Sequence, residues 1–290
     1  MKEYLSFIIV ISLGMNCMGK KPEFVAEFEA RPGFSKIERK MGKALDPAEK
    51  KILLDETKAV LTKRFQRLGI KKFEIQSSGV DNLRITANVF NKNPRFTEIF
   101  FRTGGIEFKY ADRTLNKKLE AVLEKFGKEA LLRAFSENPE KLIKKLEQQA
   151  QIPSNREIVF MHIFGNPKQS ESFPKPVVLE KESQLTGKDI KYAFDGFEDG
   201  RAFITVEMTE GGKEKFKKAT SSENLGKNLA VVYDDRVLSM PEIKESITGG
   251  RATISSDFSM REAIEIATIL SSGAIPIELE VIAQRMQSAN

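Results

Sequence analysis

Apolar residues alternate with polar ones at Phe24, Ala26, Phe28 and Ala30, the period of a half-buried strand. Asp46-Pro47-Ala48-Glu49 then predicts a helix start. Asp46 caps it, Pro47 fits the first helical position, and Glu49 closes a capping box. Ile52, Leu53, Thr57, Val60, Leu61 and Phe65 fall on one helical face, and Gly69 stops the helix. Phe73 and Ile75, then Leu83, Ile85, Ala87 and Val89, predict two strands joined by a turn at Ser78-Gly79 and Asp81-Asn82. A short helix over 94–102 ends at Thr103-Gly104-Gly105, and Ile106, Phe108 and Tyr110 alternate in a further strand. Strand, helix, strand, strand, helix, strand is the split βαβ, or ferredoxin-like, order.

Residues 113–150 read as charged helices, with Leu115, Leu119, Val122 and Phe126 as one narrow apolar stripe. Asn138-Pro139 divides them, and the second helix carries Leu142, Ile143 and Leu146. Ile158-Val159-Phe160-Met161 predicts a strand, and residues 166–176 a polar loop. From Val177 a second α+β unit is expected, with strands at 201–208, 228–234 and 251–255 and helices at 187–193, 209–220 and 259–271. Ser259 and Glu262 box the last helix, Ile264, Ala267, Ile269 and Leu270 supply its buried residues, and Gly273 ends it. Alternation over 276–282 closes the chain on a strand. The fold class is therefore α+β, with a ferredoxin-like (split βαβ) base and a smaller α+β head.

Composition mainly excludes chemistry. The 21 Phe against no Trp and 4 Tyr point to rings used for packing, since Phe carries no polar handle. The net charge of +6 comes from interleaved Lys and Glu, so a mixed solvated surface explains it better than a nucleic-acid groove. One His cannot supply a Ser/His/Asp set or a metal centre, and His162 sits in an apolar run as a strand residue. Asp234-Asp235 reads as a turn before Arg236 rather than a carboxylate pair. Thr209-Glu210-Gly211-Gly212 and Thr248-Gly249-Gly250 lack phosphate-loop spacing and its lysine. Arg84-Ile85-Thr86-Ala87 lacks the stacking aromatics of an RNA-recognition strand. The expectation is no enzyme, no cofactor, no metal and no nucleic-acid partner.

The N-terminus carries a targeting signal. Residues 4–15 are apolar apart from Ser6 and Ser12, too few for the roughly 20 residues of a membrane span but enough for a secretory core. The only cysteine, Cys17, follows at the position a lipoprotein signal would acylate, although Asn16 departs from the small residue usual there. A plain signal peptide with a chance cysteine stays open. Lipidation is favoured because a lone free thiol is a liability in an oxidising compartment.

Leu185-Thr186-Gly187-Lys188-Asp189-Ile190 resembles the start of the head subdomain of the protein-export subunit SecD. Val206-Glu207-Met208-Thr209-Glu210-Gly211-Gly212, followed by Phe216 and Thr220, is similar to that family's strand-to-helix step. Asn224-Leu225-Gly226-Lys227-Asn228-Leu229, then Ser239-Met240-Pro241-Glu242-Ile243, Ile247-Thr248-Gly249-Gly250, Ile254 and Phe258, continue in the family's order. Ser272-Gly273-Ala274-Ile275-Pro276 finishes it, and Lys63-Arg64-Phe65-Gln66-Arg67-Leu68-Gly69 and Gly105-Ile106-Glu107-Phe108 look like the base. The family's Asp-Gly head turn is Asp234-Asp235 here, and one extra residue stands between Thr220 and Asn224.

The resemblance implies the first extracytoplasmic domain of SecD, base plus head, without the transmembrane part. The expected organisation is a signal peptide at 1–16, a tether at 17–23, the base at 24–110, a helical region and connector at 111–184, the head at 185–274 and a C-terminal strand and tail at 275–290. By family analogy the last strand returns to the base sheet. In the residues' own reading Gly187, Gly211, Gly226, Gly249 and Gly250 serve turns or caps with positive φ, Asn224 caps or takes a left-handed conformation, Pro241 sits at a strand end, and Phe216 and Phe258 are core. The implied role is to assist protein export at the cell envelope or periplasm from a lipid anchor. Its partners would be emerging unfolded polypeptide or Sec translocon subunits, met by exposed strand edges. The alternative is an envelope lipoprotein scaffold for one folded partner, without an export role.

Overall fold

The computed structural model describes residues 24–78, 82–89, 100–162 and 174–288. In chain order the elements are β1 (Phe24–Pro32), α1 (Phe34–Met41), α2 (Pro47–Arg67), β2 (Phe73–Ser78), β3 (Asn82–Val89), β4 (Ile106–Tyr110), α3 (Arg113–Leu123), α4 (Lys128–Glu137) and α5 (Pro139–Ala150). There follow β5 (Arg156–Met161), β6 (Pro176–Glu180), β7 (Leu185–Thr186), β8 (Ile190–Glu198), β9 (Arg201–Met208), α6 (Glu210–Ala219), β10 (Leu229–Tyr233), β11 (Arg236–Ser239), β12 (Arg251–Ser255), α7 (Met260–Ser272) and β13 (Leu279–Ser288). Two compact units result: one takes the described residues up to Phe101 and from Pro276, the other spans Arg102–Ile275.

The first unit holds a four-stranded sheet in the order β13-β1-β3-β2. Alternation in β1 buries Ala26, Phe28 and Ala30, and their partners Ala87, Ile85 and Leu83 on β3 are buried on the same face. The capping box predicted at Asp46 and Glu49 starts α2. Its buried face is Leu54, Thr57, Leu61, Arg64 and Phe65. The predicted face was rotated: Ile52 is exposed, while Leu54 and the Arg64 stem turn inward. Arg64 is fully buried and its Nη1 donates to the Phe100 carbonyl at 2.8 Å. The Phe65 ring lies 4.4 Å from that of Phe100 and 5.1 Å from that of Phe73. Burying a ring in this way contributes about 1.5–3 kcal/mol. The short helix α1 was not predicted. The helix expected over 94–102 lies mostly outside the described residues, as does the loop expected over 166–176.

The ferredoxin-like strand order is present, but its fourth strand is not 106–110. That place belongs to β13, which pairs antiparallel with β1 from Phe24↔Ser288 to Pro32↔Leu279. It begins later than the 276–282 strand expected. β4 instead enters a six-stranded sheet of the second unit, in the order β6-β5-β11-β10-β4-β7. The reason is visible in its side chains. Phe108 packs edge-on against Phe216 of α6 at 6.1 Å, and Tyr110 donates its hydroxyl to the Ala219 carbonyl. The boundary expected at 110 thus moves to Arg102, and the second α+β unit starts there rather than at Val177.

This sheet rolls toward closure. Ala111 bridges to Leu179 and the Asp112 amide donates to the Val178 carbonyl, bringing the end of β4 to β6. Val159, Val177, Leu179, Ala230, Val232 and Val237 fill its concave side. Three helices, not two, cover the other side around Leu119, Leu142, Leu146 and Phe160. The unpredicted break precedes α4, whose N-cap is Gly127. A third sheet, β12-β9-β8, is backed by α7. The helix expected over 187–193 is a three-residue 3-10 turn, Gly187–Asp189, running straight into β8.

Candidate polypeptide-binding surface

The β8–β9 hairpin is built by Asp199-Gly200. Both residues have positive φ, 50° and 78°, the left-handed pair that matches the strand twist in a two-residue turn. Directly opposed residues share a face. Ala193 with Val206, and Ile204 with Ile254, point to α7 and are buried. Tyr192 with Glu207, Phe194 with Thr205, and Gly196 with Phe203 form the opposite face. Among the described residues no helix covers that face: Tyr192 is 47% exposed and Phe194 44%. A Cβ built on Gly196 would lie 2.3 Å from the Phe203 ring, so glycine there lets the ring lie flat across the strand. Phe197, near the turn, is 58% exposed. Three large aromatics stand exposed on one strand, whereas Phe28, Phe65, Phe100, Phe108 and Phe216 are buried.

β8 is also an edge among the described strands. Its pairing side faces β9, and its other side meets no described strand. The predicted helix hid all of this. The sequence signal for it is Asp199-Gly200 itself, a strong hairpin dipeptide.

The family-motif residues assemble the frame behind this surface. Leu185 and Thr186 pair with Phe108 and Glu107 of β4, and Gly187 packs on Ile106. Thr186 and Asp189 form a reciprocal capping box. Burial alone would raise the Asp189 carboxyl, but hydrogen bonds from Lys215 and Thr186 outweigh it and hold the group below the ordinary carboxylate range. Gly226 and Gly250 do have positive φ, at 80° and 68°. Gly187, Gly211 and Gly249 do not, which corrects the expectation for those three. Gly211 lies in the first turn of α6 with open space around it. Its neighbour Gly212 was not singled out, yet it lies against the backbone of Asp189. Asn224 ends a 3-10 turn and donates its amide to the Lys218 carbonyl. The Pro241 carbonyl accepts from the Leu229 amide. Phe258 is buried, Gly273 ends α7 with φ 88°, and Pro276 follows where the chain leaves this unit.

The remaining polar groups hold structure. The Asp234-Asp235 turn joins β10 to β11 with φ of 44° and 61°. Asp234 accepts from the Gly105 amide at 2.9 Å and from the Thr103 hydroxyl. Lys109 is buried between Glu107 and Glu157, at 2.8 and 2.7 Å. Burial opposes its charge, but those two hydrogen-bonded carboxylates prevail and its pKa is raised. Burial, helped by Arg102, lowers His162 below its ordinary value, which disfavours a charged imidazole there. Among the described residues no group of three or more His, Cys, Asp or Glu is placed to hold a metal ion. No described helix is long and apolar enough to cross a membrane. Cys17 lies outside the described residues.

Residues 163–277 match the family model described as SecDF, P1 head subdomain. The SecD subunit of Magnetococcus marinus is 24% identical over 254 residues, covering 87% of this chain and 42% of the relative. The SecDF subunit of Thermus thermophilus is 44% identical over 100 residues, 33% of this chain and 13% of that protein. The chain therefore spans less than half the length of these relatives. Among solved structures, SecDF in a super-membrane-facing form aligns over 92% of this chain and 30% of that one with a TM-score of 0.60 at 23% identity. A structure of "a membrane component SecDF that enhances protein export" aligns over 89% of this chain and 98% of that one, with a TM-score of 0.55 at 24% identity. At such identity the structures speak for the fold: residues 163–277 carry a SecDF P1 head subdomain, and the chain around it is similar to SecD and SecDF subunits.

Proposed function

We propose that this protein assists protein export on the outer side of a membrane, by transient, non-enzymatic capture of emerging unfolded polypeptide on its head. The observation that carries this reading is the uncovered face of the β8–β9 hairpin, where Tyr192 and Phe194 stand exposed beside Phe203. An aromatic buries about 150–250 Å² of surface, so a few of them gain several kcal/mol at about 25 cal/mol per Å². Association costs of about 4–15 kcal/mol consume most of that gain. The product is weak and broad binding, as an export-assisting site requires. The kinship with SecD and SecDF, one of whose solved members is described as enhancing protein export, supports the setting. Acylated Cys17 would hold the domain at the envelope, with translocon subunits as neighbours.

The test is site-specific photo-crosslinking in cells, with probes replacing Phe194 and Phe203. Adducts with nascent exported chains or translocon subunits are expected. Adducts with one mature folded envelope protein alone would contradict the proposal.

A further inference from the structure

The outer edge of β8 is open only along part of its length. In an antiparallel pair, alternate residues turn their main-chain groups toward the partner strand and away from it. Ala193 marks the phase: its amide donates to Ser271 Oγ at 2.8 Å, and Ser271 Oγ donates back to its carbonyl. One hydroxyl from α7 therefore occupies both outward groups of Ala193. The next outward positions are Asp195 and Phe197, opposite Ile204 and Ala202. Their outward amides and carbonyls have no described partner, because β8 is the last strand of its sheet. Beyond them the Asp199-Gly200 turn ends the strand.

Two of the usual guards, proline and lysine, are missing from this stretch, and the charges it does carry are acidic. No proline interrupts it, no lysine points from it, and the one irregularity of register lies behind Ser271, between Ile190 and Tyr192. Its charge is distinctive too. Asp195, Glu198, Asp199 and Asp257 are exposed, with no ion pair among the described residues, and Arg201 stands beside Glu198, Asp199 and Asp257. Glu198, Asp199, Arg201 and Asp257 line a shared hollow at the turn end of the sheet. Three carboxylates against one guanidinium line this hollow, and Asp195 adds a fourth acid on the same strand, a local acidic rim on a chain of net charge +6.

We infer that Asp195–Gly196–Phe197 is a strand-addition site for extended polypeptide carrying basic residues beside an alternating apolar run. This inference rests on the capture reading above and specifies its mode. The backbone of the incoming chain pairs with the amides and carbonyls of Asp195 and Phe197. Its apolar side chains meet Phe194 and Phe203 on one face, and its lysines or arginines meet the rim. Ser271 sets where the added strand must stop, and the short ladder keeps binding reversible. A second copy of this chain is a poor occupant, since pairing two β8 edges would set one acidic rim against another.

The probe is a short unstructured peptide of alternating valine and threonine ending in lysines, titrated against the whole chain by fluorescence anisotropy. N-methylation of alternate amides on one edge of the peptide should weaken binding about tenfold or more, and the same change on the other edge should not. Exchanging its lysines for glutamates should weaken it about threefold or more, with the gap closing at high salt. Phe197→Pro removes an outward amide at an edge that tolerates proline, and should match the N-methylated loss. Phe197→Ala keeps that amide and should lose less. If Phe197→Pro fails to fold, the N-methylated peptides decide alone.

Equal binding of all peptide forms would overturn strand addition. If the cellular crosslinks to exported chains persist alongside that result, the capture reading stands and only its mode falls. A dimer in light scattering that Phe197→Pro abolishes would assign the edge to a second copy and overturn the inference.

Discussion

Replacing Gly212 by alanine would place a methyl carbon 2.2 Å from the Asp189 carbonyl oxygen and 3.0 Å from both its carbonyl carbon and its Cβ. Backbone cannot swing aside as a side chain would. Relief means moving the start of α6 away from the 3-10 turn by about 1 Å, since ordinary contacts lie near 3.5–4.0 Å. That movement strains the Thr209 amide bond to the Asp189 carbonyl, now 2.8 Å, and the Lys215 contact with the Asp189 carboxylate, now 2.7 Å. Overpacking of this kind costs about 1–3 kcal/mol, and a weakened hydrogen bond adds about 0.5–1.5. Alanine's better helix propensity returns about 0.5–1 kcal/mol. A net loss of about 1–3 kcal/mol follows.

Gly211 is the control. It is the adjacent residue of the same helical turn, its φ is not positive, and a Cβ there meets nothing within 4 Å. Gly211→Ala should therefore stabilise by about 0.4–1 kcal/mol. In a unit of this size 1 kcal/mol shifts Tm by about 2–4 °C. Differential scanning calorimetry on the whole chain should show the transition of the Arg102–Ile275 unit falling by about 3–10 °C for Gly212→Ala and rising slightly for Gly211→Ala. Shifts of the same sign would refute the reasoning, because the two glycines differ only in what their missing Cβ would meet.

Three more outcomes are expected. Asp189→Asn should destabilise at neutral pH. Because the folded pKa of Asp189 lies below its ordinary 3.8, its contribution is present above that value and lost as pH falls through the folded one, so variant and wild-type melts should converge at strongly acid pH. Lys109→Met should cost about 1–3 kcal/mol by leaving Glu107 and Glu157 without their shared cation. The Lys109 pKa is raised above its ordinary 10.5, so from neutral pH up to that value the deficit should hold, and it should shrink as the pH rises through the folded value, read by denaturant titration. Cys17→Ala should abolish incorporation of an alkyne fatty acid and release the protein from the membrane fraction in cells; unchanged labelling would remove the anchor.

What the sequence showed was local. Asp46 and Glu49, and Ser259 and Glu262, signal helix starts within four residues, and both boxes form. Alternation at Phe24–Pro32 and Arg201–Met208 fixes a buried face by period alone. The failures were of another kind. Ile106, Phe108 and Tyr110 alternate in the same way whichever sheet receives them, and only Phe216, Ala219 and Leu185, all more than 70 residues away, decide the matter. The ferredoxin-like order was legible, but its last strand was sought next in sequence and came from Leu279–Ser288. The candidate site was hidden because only Ala193 of this edge strand is buried, so the strand shows no clean alternation. Tyr192, Phe194 and Phe197 break the period that one buried face would impose. Gly211 and Gly212 look interchangeable along the chain, and only the approach of Asp189 separates them.

The most direct test of polypeptide capture is hydrogen exchange on the whole chain, with and without a permanently unfolded exported protein. Protection confined to the amides of β8 and β9, strongest at Asp195 and Phe197, is the predicted result. No change there, or protection only over the helices α3 to α5, would contradict it.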